Sequence, residues 1–241
     1  MIKTAVIMAA GLGTRFGHMT DLMPKGFIEC GGKPMVVRSV ETLLSCGIEH
    51  IIIGTGYKHE AYEELAKRFP QITCVYSPRY AETNSMFTLY NNREAIGEND
   101  FLLLESDIIF SRNAITRLLA DSHPDVMLIT PVTKFQDQYY VEHDGEGRLT
   151  RCSVNRDELD AKGELVGIHK LSNSFYQQMC DDYAALLSEQ PKLGYEYQLL
   201  RMSQTTMPVY VLNADDVSWY EIDDEQDLKY AEEHIVPILN A

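Results

Sequence analysis

Residues 6–17 read VIMAAGLGTRFG: an apolar run, then four small residues, a Thr, an Arg and a third Gly. The run "TAVIMA" (4–9) has the continuous apolarity of a strand buried on both faces, so the small residues follow a strand end. Gly11, Gly13 and Gly17 give G-x-G-x-x-x-G, one residue off the dinucleotide fingerprint, and no acid stands after the next strand where a ribose partner belongs. A Walker A loop fails as well, because the "GGK" at 31–33 runs into Pro34 without its spacing glycine. What remains is G-x-G-T-R with Pro24-Lys25 eight residues on. Ala9, Ala10, Gly11 and Gly13 let backbone N–H groups come close to a nucleotide, Thr14 adds a hydroxyl, and Arg15 and Lys25 supply cationic donors.

Outward from this loop, strand and helix patterns alternate. "PMVVRSVETLLSCG" (34–47) reads as a helix stopped by Gly47, "HIIIGTG" (50–56) as a buried strand, "HEAYEELAKRF" (59–69) as a helix and "ITCVYS" (72–77) as a strand. Asn84 or Ser85 caps a helix through "MFTLYNNREAI" (86–96), and "DFLLLESDIIF" (100–110) reads as one strand with acids in it. The alternation predicts an α/β fold: a doubly wound, mostly parallel sheet with right-handed crossovers. Ligands in such sheets gather beyond the carboxyl ends of the strands, where residues 11–15, 54–57 and 105–107 all emerge. After "DVMLITPV" (125–132) the rhythm changes, with a hairpin around Asp144 to Gly147 and helices from about Asn173 to Leu187 and from Tyr195 to Ser203. The expectation is one domain over 1–241: a nucleotide-binding lobe (about 1–131), an acceptor-side lobe in a different layer (about 132–215), and a C-terminal return to the core.

Composition narrows the partners. A net charge of −15, from 21 basic against 36 acidic residues, excludes nucleic acid, whose binding needs a clustered basic surface. Five scattered cysteines form neither a CxxC pair nor a disulfide framework, and the seven histidines show no metal or triad spacing. No apolar run approaches the roughly 20 residues of a membrane span, so no membrane insertion and a cytoplasmic setting are expected.

The stretch "GLGTRFGHMTDLMPKG" (11–26) resembles the signature of nucleotidyltransferases that couple an NTP to a sugar phosphate or a small phosphorylated alcohol. "YAETNSMFTLY" (80–90) resembles the nucleotide-recognising segment of cytidylyltransferases for phosphocholine or 2-aminoethylphosphonate, and "WYEIDDEQDLKYAEE" (219–233) their C-terminal segment. "MPKGFIECGG" (23–32), "LLLESDIIF" (102–110), "GELVGIHKLS" (163–172) and "PKLGYEYQLL" (191–200) look closer to the aminoethylphosphonate branch. The resemblance implies a GT-A-like, Rossmann-type architecture and transfer of CMP from CTP to a small acceptor, with pyrophosphate leaving. A CMP-linked product of this kind would serve the decoration of cell-surface glycans or lipids. Phosphocholine and sugar 1-phosphates stand as alternative acceptors, and a non-catalytic nucleotide sensor as an alternative of another class.

The resemblance also assigns roles. Lys25 and Arg15 act on the phosphates; Asn84, Ser85 and Glu105 join the loop in holding the nucleotide. Asp107 and Asp223 hold Mg²⁺, a hard cation that takes carboxylate oxygens. For the acceptor, Lys25 with Arg156 would meet the phosphonate and Glu196 the amine, with Tyr139, Tyr140 and Tyr195 as aromatic walls.

Overall fold

A computed structural model describes residues 2–134 and 138–240. In the first half of the chain, β1 (Thr4–Ala9) is followed by the two-residue strands β2 (Glu29–Cys30) and β3 (Lys33–Pro34), helix α1 (Met35–Ser45), β4 (His50–Thr55), α2 (Glu60–Arg68) and β5 (Ile72–Tyr76). Short helices α3 (Ser85–Asn91) and α4 (Arg93–Ile96) then lead to β6 (Phe101–Glu105). β6, β1, β4 and β5 lie side by side and all parallel, with Val6 level with Ile52 and Leu103. Every residue of β1 is buried, because helices cover both faces of this frame. In α1, Met35, Val36, Val40 and Leu43 are buried at helical spacing, and Gly47 ends the segment at φ 87°, a left-handed conformation that favours glycine.

The second half carries β7 (Ile108–Phe110), α5 (Arg112–Ala120), β8 (Val126–Thr130), β9 (Tyr140–His143), β10 (Leu149–Ser153), β11 (Gly163–Leu171) and α6 (Asn173–Leu186). It continues with α7 (Tyr195–Thr205), β12 (Tyr210–Asn213), β13 (Trp219–Glu221), α8 (Glu225–Tyr230) and α9 (Val236–Leu239). β11, buried throughout, pairs antiparallel with both β6 and β8, and β9 and β10 extend the sheet beyond it. The expected separate layer is therefore corrected: among the described residues, strands from both lobes share one nine-stranded sheet. The hairpin residues read as a new rhythm because antiparallel strands pair through short turns, whatever sheet they belong to.

A second correction positions the site. The expected single strand over 100–110 is two: β6 ends at Glu105, and β7 leaves the main sheet to pair antiparallel with β13. Ser106 and Asp107 sit in the break, and the Ile222 amide donates to the Asp107 carbonyl at 2.9 Å. Residues more than a hundred apart in sequence thus meet at the mouth of the sheet. Both halves of the stretch are apolar, so periodicity alone carries no sign of the fork. Among the described residues no helix is long and apolar enough to cross a membrane.

Candidate active site

The loop after β1 turns through Gly13 at φ 65°. A Cβ there would lie 3.0 Å from Thr20 Cγ2 and 3.1 Å from Lys25 Cβ, so glycine answers both the backbone conformation and the close passage of Lys25 beneath the loop. A cavity of about 440 Å³ opens above it, lined by Ala9, Ala10, Gly11, Gly13, Thr14 and Arg15. Lys25, Asn84, Ser85, Glu105, Asp107 and Asp223 complete the lining, so every residue expected at the nucleotide and its metal borders one space. Asn84 caps α3, its side-chain oxygen accepting from the Ser85 amide.

Charge in this cavity is internally balanced. Lys25 Nζ lies 2.5 Å from Asp107 Oδ2 and 2.6 Å from Asp223 Oδ1, and Arg15 Nη2 lies 2.7 Å from the same Asp223 oxygen. Burial alone would lower the Lys25 pKa; the Asp107 and Asp223 carboxylates outweigh it and hold the ammonium above its ordinary value. The Lys25 side chain is thus a fixed positive charge.

Asp107, Glu221 and Asp223 each offer a carboxylate oxygen within 4.8 Å of the others. Asp107 Oδ1 is buried and has no hydrogen-bond partner among the described residues. Three oxygen donors and one uncommitted lone-pair set fit a hard divalent cation. Glu221 was missed in the sequence. Its signal was the spacing: Glu221 and Asp223 are two apart at the end of an extended segment, which places both on one side of it.

A second cavity of about 270 Å³ adjoins the first and shares Arg15, Asn84, Ser85 and Glu105 with it. Glu196, Glu221, Gln138, Tyr139 and Tyr195 also line it. Here the groups bonded to the acids are neutral. The Tyr195 hydroxyl donates to Glu105 Oε1 at 2.6 Å, and Gln138 Nε2 donates to Glu221 Oε2 at 2.7 Å. Burial, reinforced by the neighbouring Asp107 and Glu196 carboxylates, holds Glu105 well above the usual carboxyl range. Burial and the charges of Asp107 and Asp223 push Glu221 up to about 8, and burial pushes Glu196 up to about 7. Glu196, at 8 % exposure, is no solvated helix-surface acid: it opens α7 with its side chain turned inward.

Two acceptor-side nominations land elsewhere. Tyr140 is buried with its hydroxyl donating to the Lys134 carbonyl at 3.0 Å, and it lines neither cavity; its neighbour Tyr139 lines the second. Successive residues of extended chain face opposite ways, and which of a Tyr pair faces the ligand depends on register. Arg156 stands exposed in a short helical turn, Arg156–Glu158, and lines neither cavity.

The mostly parallel sheet, its glycine loop and the acid cluster beyond the strand ends define a nucleotidyltransferase. Residues 5–171 match the MobA-like NTP transferase domain, and the chain belongs to that family. Choline-phosphate cytidylyltransferase of Haemophilus influenzae is 26 % identical over 243 residues, covering 97 % of each chain. 2-Aminoethylphosphonate cytidylyltransferase of Lancefieldella rimae is 33 % identical over 107 residues, 44 % of each chain. In structure, CTP:phosphocholine cytidylyltransferase from Streptococcus pneumoniae superimposes with a TM-score of 0.78 over 96 % of this chain and 99 % of its own, at 23 % identity, a likeness of fold.

Proposed function

We propose that the protein transfers CMP from CTP to 2-aminoethylphosphonate, giving CMP-2-aminoethylphosphonate and pyrophosphate, a donor for decorating cell-surface glycans or lipids. The observation that carries the acceptor is the second cavity: acids held by neutral groups, next to the nucleotide cavity that holds Lys25 and Arg15 and sharing a wall with it. A zwitterion matches that arrangement, its phosphonate beside Lys25 and Arg15 and its primary ammonium beside the acids. An ammonium offers three donors and favours a carboxylate such as Glu196. The relatives named for phosphocholine and 2-aminoethylphosphonate support cytidylyl transfer to a small amine-bearing acceptor.

The chemistry asks little of a base. A phosphoryl-type group with a second pKa near roughly 6 is mostly dianionic at neutral pH, so its oxygen is already nucleophilic. The loop holds the triphosphate, the acceptor lies across the partition, and the phosphonate oxygen attacks the α-phosphorus opposite the departing pyrophosphate. Lys25 neutralises charge that develops at the reacting phosphate, and Arg15, half exposed at the mouth, holds the β,γ-phosphates as they leave. Asp107, Asp223 and Glu221 would hold Mg²⁺, which supplies further charge neutralisation when bound.

Phosphocholine is the second reading, favoured by Tyr139, which lines the cavity and packs edge-on against Tyr197 with ring centroids 5.5 Å apart. A trimethylammonium donates no hydrogen bond and seeks aromatic faces. Pyrophosphate release across four NTPs and both acceptors tests the proposal: CTP with 2-aminoethylphosphonate should give the highest kcat/KM, and a preference for phosphocholine would replace this acceptor by the other.

A further inference from the structure

Glu196 faces the second cavity because the chain leading into α7 is tied to the wall between the two cavities. Asn84 Nδ2 donates to the Lys192 carbonyl and the Met86 amide to the Leu193 carbonyl, each at 3.3 Å. Ser85 Oγ accepts from the Tyr195 amide at 3.1 Å, and Glu105 Oε1 accepts from the Tyr195 hydroxyl at 2.6 Å. Ser85 and Glu105 line both cavities; Tyr195 lines only the second.

The fit around these bonds is close. A Cβ on Gly194 would fall 2.5 Å from Glu196 Oε2 and 3.7 Å from Ser85 Oγ, so the carboxylate folds back over the glycine beside the serine hydroxyl. Gly167, at φ 76° where the β11 pairing shifts register, leaves room for Glu105, since a Cβ there would lie 2.9 Å from Glu105 Cγ. The Tyr195 ring packs edge-on against buried His169, with centroids 5.3 Å apart. Side chains from β6, α3 and α7 therefore fix one point, the start of α7, from the partition itself.

We propose that Ser85, Glu105 and Tyr195 are positioning residues for the acceptor: through the Tyr195 amide and hydroxyl they hold the first turn of α7 so that Glu196 presents its carboxylate to a cationic acceptor, and they make that presentation responsive to the filling of the nucleotide cavity. The inference rests on the reading of Glu196 as the amine partner. One serine and one glutamate line the first cavity and also hold the residue next to Glu196, so the two cavities are linked although Glu196 lines only the second. A ligand that orders Ser85 and Glu105 from one side orders Glu196 on the other.

Tyr195→Phe tests this with little disturbance, because the ring and its packing on His169 remain and only the hydroxyl is lost. The acceptor KM should rise about tenfold, the scale of one buried hydrogen bond, with the CTP KM within about twofold. Ser85→Ala should raise the acceptor KM in the same direction, and Ser85→Thr, which keeps a hydroxyl, should restore it. Calorimetric titration of 2-aminoethylphosphonate with and without a non-hydrolysable CTP analogue supplies a readout that a merely structural role would not move: the analogue tightens acceptor binding in the native protein, and Tyr195→Phe loses most of that gain. An unchanged acceptor KM in both Tyr195→Phe and Ser85→Ala, or an effect confined to the CTP KM, overturns the proposal. Glu196→Gln, measured alongside, separates the two readings: if it raises the acceptor KM while the other variants do not, only the positioning role fails; if it too has no effect, the amine assignment fails first.

Discussion

The two adjoining cavities use the same residue types to opposite electrostatic ends. In the nucleotide cavity the acids Asp107 and Asp223 are met by Lys25 and Arg15 at 2.5–2.7 Å, so the protein neutralises its own carboxylates before any ligand arrives. In the second cavity Glu105 and Glu221 are met by a phenol and an amide, and burial holds the carboxyls above their ordinary range, Glu196 at about 7. The difference teaches how to read a buried acid. One already paired with a cation has its charge compensated within the protein; one held by neutral groups is driven by burial toward the uncharged carboxyl, which a cation brought beside it would reverse.

The contrast breaks most visibly at Lys25. Replacing it with Ala removes the cation shared by Asp107 and Asp223, and kcat should fall by about 10² to 10³ in a pyrophosphate-release assay. Turnover near the native rate, in a protein with an unchanged circular dichroism spectrum, would take Lys25 out of the chemistry. Next in size come Asp107→Asn and Asp223→Asn, each deleting an anionic oxygen from the cluster; the Mg²⁺ concentration for half-maximal rate should rise by about tenfold or more. Titrations that overlay the native curve for both would show that the metal sits elsewhere.

On the acceptor side, Glu196→Gln should narrow the preference for 2-aminoethylphosphonate over phosphocholine by about tenfold, since a hydrogen bond to a charged group is worth roughly 1.5–3 kcal/mol. The pH dependence sharpens the same point. Because the Glu196 pKa is raised to about 7 by burial, the carboxyl is mostly protonated on the acid side of that value and charged on the alkaline side. The acceptor KM should therefore fall as pH rises from about 6 to about 8, more steeply than in Glu196→Gln. The ligand-free protein should do the opposite in stability: a native carboxyl pKa above its unfolded value means the unfolded chain binds fewer protons through this window, so this group's contribution to stability is lost as pH rises. Melting curves of native protein and Glu196→Gln without acceptor, compared at the two ends of the window, check that sign. The smallest effect belongs to Arg156→Ala, which should change kcat/KM by less than about twofold because the residue is exposed and lines neither cavity. A tenfold loss there would show that the turn at 156–158 closes over the acceptor.

Much of the lining of the first cavity was legible in advance. Loop chemistry is written in consecutive residues, so 9–15 and Lys25 announce themselves, and a strand-end Asp such as Asp107 can be nominated from the apolar run before it. The acceptor side was less legible because its walls are assembled from β13, α7 and the segment before β9, whose register and facing no local pattern fixes. That is why Tyr139 and Tyr140 are nominated together although only Tyr139 lines a cavity, why Arg156 is nominated although it lines neither, and why Glu221 escapes notice although Asp223 two residues on does not.

By itself the sequence determined the parallel frame, through apolar runs of strand length alternating with amphipathic helices, and it marked the glycine loop after β1, because small residues and a Pro-Lys at fixed spacing act through the local backbone. Only the tertiary structure decided the fork at Ser106 and Asp107, the entry of β11 between β6 and β8, and the convergence of Glu105, Glu196 and Glu221 on one cavity. The physical reason is that a carboxyl's neighbours set its charge and its use. Those neighbours come from strands and helices a hundred residues away, brought together by sheet pairing and burial that no short window of sequence contains.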